Sequence, residues 1–219
     1  MKHYPIHYHT CANGETIAYR TAGDKGPIVV LVHGNMSSSV HWQTTMEQLE
    51  NDYQLIVPDM RGFGDSSYHS ELNSLYDFGS DLLDLLKFLK VDTCSLVGWS
   101  TGGGVVLEMA AELKEKVKKV ILLDSVGLTG YPMFKKDAAY QPILTELLTT
   151  KEDIAKDPVQ VLPIVAAYAN RDKNMLKMIW NAVIYNNKPC HRNPTVPYRY
   201  RDYRLACRWR QSRYASATT

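Results

Sequence analysis

Ser95-Leu96-Val97-Gly98-Trp99-Ser100-Thr101-Gly102-Gly103-Gly104 is the stretch on which the fold is decided. Ser95-Leu96-Val97 has the length and character of a short buried strand, and Val105 to Leu113 reads as a helix. A serine between two glycines sits at the joint. A sharp strand-to-helix turn brings neighbouring backbone close, so side chains at Gly98 and Gly102 would clash. The turn holds Ser100 in a strained conformation above the positive end of the helix dipole, where negative charge is favoured. A G-x-S-x-G pentapeptide is only moderately specific by itself. With a strand before it and a helix after it, the motif stands in the context it needs.

The same alternation extends in both directions. Ile6 to Tyr8 and Thr16 to Arg20 read as strands around the turn pair Asn13-Gly14. Pro27-Ile28-Val29-Val30-Leu31-Val32 is a continuous apolar run, suited to a strand buried on both faces. A helix is expected around Trp42 to Leu49, a strand over Tyr53 to Val57, a helix over Leu75 to Leu89 and a strand over Val117 to Leu123. Strands alternating with helices imply right-handed crossovers and a mostly parallel sheet. The expected fold class is therefore α/β, a doubly wound sheet. From about Gly127 to Lys188 the rhythm changes: Leu144 to Leu148, Pro158 to Ala167 and Asn174 to Ile184 read as helices with no strand between them. This segment has the character of a helical lid, and its Met133, Met175, Met178 and Trp180 either line a pliable apolar pocket or pack the lid onto the core.

Bulk properties exclude several classes. A chain of 219 residues supports one well-packed domain with room for a small second lobe, and 45% hydrophobic with 22% charged residues is ordinary for a globular protein. The opening Met1-Lys2-His3-Tyr4-Pro5 has no apolar signal-peptide core, and no apolar run approaches membrane-spanning length. Cys11, Cys94, Cys190 and Cys207 are scattered, with no CxxC pair and no ligand-like histidine spacing. That argues for free thiols in a reducing compartment, against a disulfide scaffold and against structural zinc. The expectation is a soluble cytoplasmic protein with neither metal nor organic cofactor.

Two further motifs accompany the serine turn. His33-Gly34-Asn35 follows the first buried strand, and Asp59-Met60-Arg61-Gly62-Phe63-Gly64-Asp65-Ser66 follows the next. Together the three resemble the α/β-hydrolase superfamily over roughly residues 15–130. The resemblance implies that Ser100 is a nucleophile. It implies that the backbone N–H of Asn35 (or that of Met36) joins the N–H of Thr101 in an oxyanion hole. His33 would brace its loop, and the Asp59–Ser66 loop would be structural. The implied substrate is a small carboxylic ester, thioester or lactone, cleaved through an acyl-serine intermediate. Serine rather than aspartate at the turn argues against dehalogenase and epoxide-hydrolase chemistry. Peptidase, C–C hydrolase and perhydrolase activities would use the same serine machinery.

A serine nucleophile needs a general base, and the base an orienting carboxylate. In the superfamily these follow the serine in the order acid, then histidine. Asp124, at the end of the Val117–Leu123 strand, is the candidate acid, and His191, the one histidine after Ser100, is the candidate base. The latter is not preceded by a recognisable strand, so the fold is read as C-terminally incomplete. Residues 1–189 carry 18 basic and 22 acidic side chains, whereas residues 190–219 carry seven arginines, no lysine and the single Asp202. The expected organisation is a core at 1–128, a lid at 129–189 and an irregular Arg/Tyr-rich tail at 190–219. An alternative function follows: a catalytically impaired relative that keeps only a ligand pocket. Arginine interleaved with tyrosine can bind nucleic acid. The acidic body offers no supporting basic face, so neither nucleic acid nor membrane is expected as a partner. The abrupt change in Lys/Arg usage suggests a reading-frame change near Pro189 to His191. Resequencing the source gene is expected to reveal a one-base shift that restores a strand-helix-strand ending with a histidine; an intact frame would refute it.

Overall fold

The computed structural model describes residues 2–128 and 130–185. The chain divides into two units, Met1–Tyr131 and Pro132–Thr219. In the first unit the Asn13-Gly14 turn joins β1 (His7–Thr10) to β2 (Thr16–Ala22) as an antiparallel hairpin, with Thr10 opposite Thr16. Gly14 takes a φ of 83°, a left-handed value that favours glycine. Then follow β3 (Ile28–Val32), β4 (Gln54–Pro58), β5 (Cys94–Trp99) and β6 (Val117–Leu123). The sheet order is β1-β2-β4-β3-β5-β6, with β4–β3, β3–β5 and β5–β6 parallel.

The connections are helical. A short 3-10 turn at Ser39–Trp42 leads into α1 (Gln43–Leu49), while α2 (Leu75–Phe88) and α3 (Thr101–Leu113) follow β4 and β5. The start of α2 is capped by Asp77, whose carboxylate accepts the Ser74 N–H at 2.9 Å. On one side of the sheet Val29, Leu31, Leu55, Val57 and Val97 pack with Trp42 and Met46. Alternate residues of the same strands, Val30, Val32, Ile56 and Leu96, are also buried, so the apolar runs are buried on both faces as continuous runs predict. β6 differs. Among the described residues it forms the end of the sheet, and Ile121, Leu122 and Leu123 are 45%, 43% and 42% exposed.

The second unit corrects one expectation. Leu144 to Leu148, read as helical, lies mostly in β8 (Pro142–Leu147), which pairs antiparallel with β7 (Phe134–Lys136). Apolar residues at 143, 144, 147 and 148 imitate helical spacing. The decisive feature is local turn chemistry: the Asp137 carboxylate accepts the N–H groups of Ala139 and Gln141, both at 2.8 Å, and folds the segment back on itself. The remaining elements are α4 (Lys151–Ala155), α5 (Leu162–Ala169) and α6 (Lys173–Val183). α5 starts four residues later than expected, because Asp157 first binds the N–H groups of Val159 and Gln160 in a turn. Met133 packs with Ile154 and Val161, so it is a core residue of this unit, while Met178 is exposed.

These burials set an ordering of mutational costs. Leu96→Ala, at a fully buried site, is expected to cost about 2–5 kcal/mol. Leu122→Ala on β6 is expected to cost about 1 kcal/mol or less. Urea unfolding of the two variants, compared at constant m-value, checks the difference.

Candidate active site

β3 has β4 on one side and β5 on the other, so the chain leaves it in one direction and returns on the opposite side. At such a reversal the loops beyond the two strand ends part and leave a crevice, where open α/β sheets bind ligands. Here those loops begin at His33 and at Ser100, so two of the three motifs meet at this point.

Ser100 is the residue before α3 and has φ 54° and ψ −119°, a strained conformation for a residue with a side chain. The surroundings enforce it. The Ser100 N–H donates to the Leu123 carbonyl at 3.0 Å, and the Ser100 carbonyl accepts the N–H groups of Gly103 and Val126, each at 3.0 Å. A Cβ at Gly98 would lie 2.4 Å from the Gly102 carbonyl oxygen, and one at Gly102 would lie 2.4 Å from that of Val32. A Cβ at Gly103 would collide with Ser125 Oγ at 1.7 Å. The glycines therefore let β3, β5, α3 and the loop after β6 converge on one serine.

The loop after β3 runs against this turn: a Cβ at Gly34 would come 3.0 Å from Ser100 Cβ. Asn35 is half-buried beyond it, with a buried Oδ1 that has no hydrogen-bond partner among the described residues, and Met36 has a φ of 59°. Thr101 is the first residue of α3 and is buried. The N–H groups of a helix's first turn point out of its end without intrahelical acceptors, which suits them to an oxyanion.

Asp124 follows β6 immediately, is exposed and has a φ of 42°. Since Leu123 and Val126 both hydrogen-bond to the Ser100 backbone, Asp124 belongs to the loop wrapped around the serine turn. His191 and the Arg/Tyr-rich tail lie outside the described residues. Among the described residues no side-chain hydrogen bond reaches the Ser100 hydroxyl.

His33 is fully buried and braced by backbone at both nitrogens. Its Nε2 accepts the Met60 N–H at 3.0 Å, which leaves Nδ1–H to donate to the Gly34 carbonyl at 2.7 Å. That pattern holds a neutral ring; burial pushes its pKa below the ordinary histidine value despite the nearby Asp59 charge. Asp59 ties the same region together. Its Oδ1 accepts the Ser39 N–H at 2.6 Å, its Oδ2 accepts the Asp65 N–H at 3.0 Å, and its carbonyl accepts the Ser66 hydroxyl at 2.6 Å. Arg61 forks onto Asp81, with Nε to Oδ2 at 2.7 Å and Nη2 to Oδ1 at 2.6 Å. The Asp59–Ser66 loop is thus a hydrogen-bonded scaffold. His41 belongs to none of the three motifs; its ring lies 6.0 Å from that of Trp99, and burial lowers its pKa to about 4. Nothing in the spacing of His41 announces it, since it lies in the Ser39–Trp42 turn and its ring neighbour Trp99 comes from β5.

Residues 27–188 match the sequence profile described as the alpha/beta hydrolase fold. The chain belongs to the α/β-hydrolase fold family. It is 32% identical over 138 residues to 2-hydroxy-6-oxo-2,4-heptadienoate hydrolase of Pseudomonas putida, an overlap of 60% of this chain and 50% of that one. It is 29% identical over 120 residues to the soluble epoxide hydrolase of a Corynebacterium strain, covering 55% and 42%. A hydrolase from Pseudomonas aeruginosa of known structure superposes with a TM-score of 0.65 over 98% of this chain and 73% of that one; at 19% identity that is a likeness of fold. The chain spans between a third and a half of the length of the curated relatives it matches. Among the described residues no helix is long and apolar enough to cross a membrane.

The buried His33 and the half-buried His41 of the α/β-hydrolase core make stability fall on acidification. Each is neutral when folded and has its pKa lowered below the unfolded value of about 6.5. Their contribution is complete above that value and is lost as pH falls below it, because the unfolded chain then binds more protons. Each adds a slope of up to about 1.4 kcal/mol per pH unit down to its folded pKa, about 4 for His41. Denaturant unfolding at pH 7, 6, 5 and 4 is expected to show the loss, with a shallower slope in His41→Gln.

Proposed function

We propose that Ser100 is the nucleophile of a hydrolase acting on a small carboxylic ester, thioester or lactone through an acyl-serine intermediate. The observation that carries this reading is the strained Ser100 turn with the Gly34-Asn35 loop against it, at the reversal point of the sheet. Ser100 Oγ attacks the carbonyl carbon and gives up its proton to a general base. The carbonyl oxygen becomes an oxyanion, held by the N–H of Thr101 and that of Asn35 or Met36. Loss of one such donor typically costs about 3–4 kcal/mol of transition-state stabilisation. The candidate base is His191 and the candidate orienting acid is Asp124. The place of Asp124 in the loop around the serine turn supports that role. The leaving group takes the proton back from the base, and water then releases the acid by the same steps in reverse.

The relatives include epoxide hydrolases as well as the heptadienoate hydrolase. Serine at the turn supports acyl chemistry, because a serine ester is formed from and returned to a carbonyl carbon. A second reading is a catalytically impaired family member that retains a ligand pocket. One observation favours it: His33, close in sequence to the Gly34-Asn35 loop, has both ring nitrogens engaged by backbone, so this histidine of the described residues does not serve as the base.

Covalent labelling with a fluorophosphonate, read by intact mass, separates the two. Attachment of one probe to the native protein and none to Ser100→Ala is expected for the hydrolase. A folded native sample that takes up no probe would support the impaired relative. If labelling occurs, His191→Ala is expected to lower its rate by about 10²-fold or more.

A further inference from the structure

The hairpin at the start of the chain brings together donors that lie far apart in sequence. A ring nitrogen of His9, Cys11 Sγ and a carboxylate oxygen of Asp84 lie within 4.8 Å of one another. Each is held by a separate local constraint. The ring of His9, on β1, stacks on Phe88 of α2 with centroids 4.4 Å apart, and its Nε2 lies 3.0 Å from Asp84 Oδ1. Asp84 Oδ2 accepts the Ala12 N–H at 2.8 Å, which fixes the carboxylate plane and turns Oδ1 toward His9. The backbone of Cys11 is fixed by its N–H donating to the Glu15 carbonyl at 2.7 Å, and its thiol reaches the Asp81 carbonyl at 3.6 Å. His9 and Cys11 are two residues apart, and two is the spacing that puts side chains on one face of an extended segment.

We propose that His9, Cys11 and Asp84 form a site for a zinc-class divalent cation that clips the hairpin to α2. The donor set is one imidazole nitrogen, one thiolate sulfur and one carboxylate oxygen, the mixture that a borderline cation such as zinc accepts. Bond lengths of about 2.0–2.3 Å at tetrahedral angles separate ligand atoms by roughly 3.3–3.6 Å. A set spread over no more than 4.8 Å closes on such an ion by shifts of about an ångström. Cys11 is buried while His9 and Asp84 are partly exposed, so the cation enters from the Asp84 side and keeps water in the fourth position. Burial, with the charges of Asp81, Asp84 and Glu15 against that of Arg61, raises the Cys11 pKa to about 12; the same acidic groups attract a cation, which has to displace the thiol proton to bind. On binding, the thiol releases its proton to solvent and the sulfur lone pair forms the metal bond. The scattered cysteines show no ligand-like spacing in the sequence; the hairpin packing on α2 supplies it.

Cobalt(II) is the probe, titrated into the full-length protein after chelator treatment. A near-ultraviolet thiolate-to-cobalt charge-transfer band, saturating at one equivalent and displaced by zinc, is expected. It should vanish in Cys11→Ser and require at least about tenfold more cobalt in His9→Gln or Asp84→Asn. Zinc should raise the thermal midpoint of the native protein and leave that of Cys11→Ser unchanged. No band, or a band untouched by Cys11→Ser, overturns the proposal, the latter assigning the metal to Cys94, Cys190 or Cys207. Should Cys11→Ser fail to fold, Asp84→Asn at the partly exposed position decides: undiminished cobalt affinity there overturns the site.

Discussion

Backbone crowding around Ser100 is the constraint on which the rest of the first unit depends. The residue takes up a conformation that costs of order 1–3 kcal/mol, and such strain persists only where the surroundings over-determine it. Here they do so through three hydrogen bonds to its own N–H and carbonyl, made with the end of β6, the loop beyond it and the first turn of α3. Gly98, Gly102 and Gly103 stand where any side chain would meet backbone or Ser125. β3, β5, β6 and α3 must therefore all come close to one residue. The apolar strands supply the free energy that holds the approach.

A second layer of polar scaffolding fixes the loop facing that serine. His33 spans from the Gly34 carbonyl to the Met60 N–H, and Asp59 spans from Ser39 to Asp65. These groups are buried, so each unmade hydrogen bond would carry the full desolvation penalty, about 1–3 kcal/mol. The two loops beyond β3 and β4 are consequently one rigid piece. This is why residues of catalytic type in the motifs are occupied: His33 and Asp59 hold the backbone around Gly34 to Ser39, and Arg61 pins its own loop to Asp81 of α2.

Much of this is legible in the sequence because it rests on local rules. Continuous apolar runs marked β3, β4 and β5 as interior strands, and glycines at fixed offsets marked the serine turn. The β7–β8 hairpin was not legible, since its apolar residues fall at helical spacing and its turn depends on one aspartate side chain, Asp137. His41 beside Trp99, and the convergence of His9, Cys11 and Asp84, were hidden for a different reason. Both are made by packing between segments tens of residues apart, and no periodicity records such a meeting.

β6 shows where local rules and the described structure part company. Val120-Ile121-Leu122-Leu123 has the composition of an interior strand, and its inner edge is hydrogen-bonded to β5 from Cys94 to Trp99. Its side chains are nevertheless more than a third exposed. Among the described residues no strand pairs with its outer edge, and such an edge with apolar side chains is a ready template for further strand pairing. The position matters for the site as well, because Leu123 and Val126 hold the Ser100 backbone and Asp124 lies between them. Anything that orders or frays the end of β6 acts directly on the serine turn, so the strain at Ser100 is only as secure as the pairing of β6 with β5.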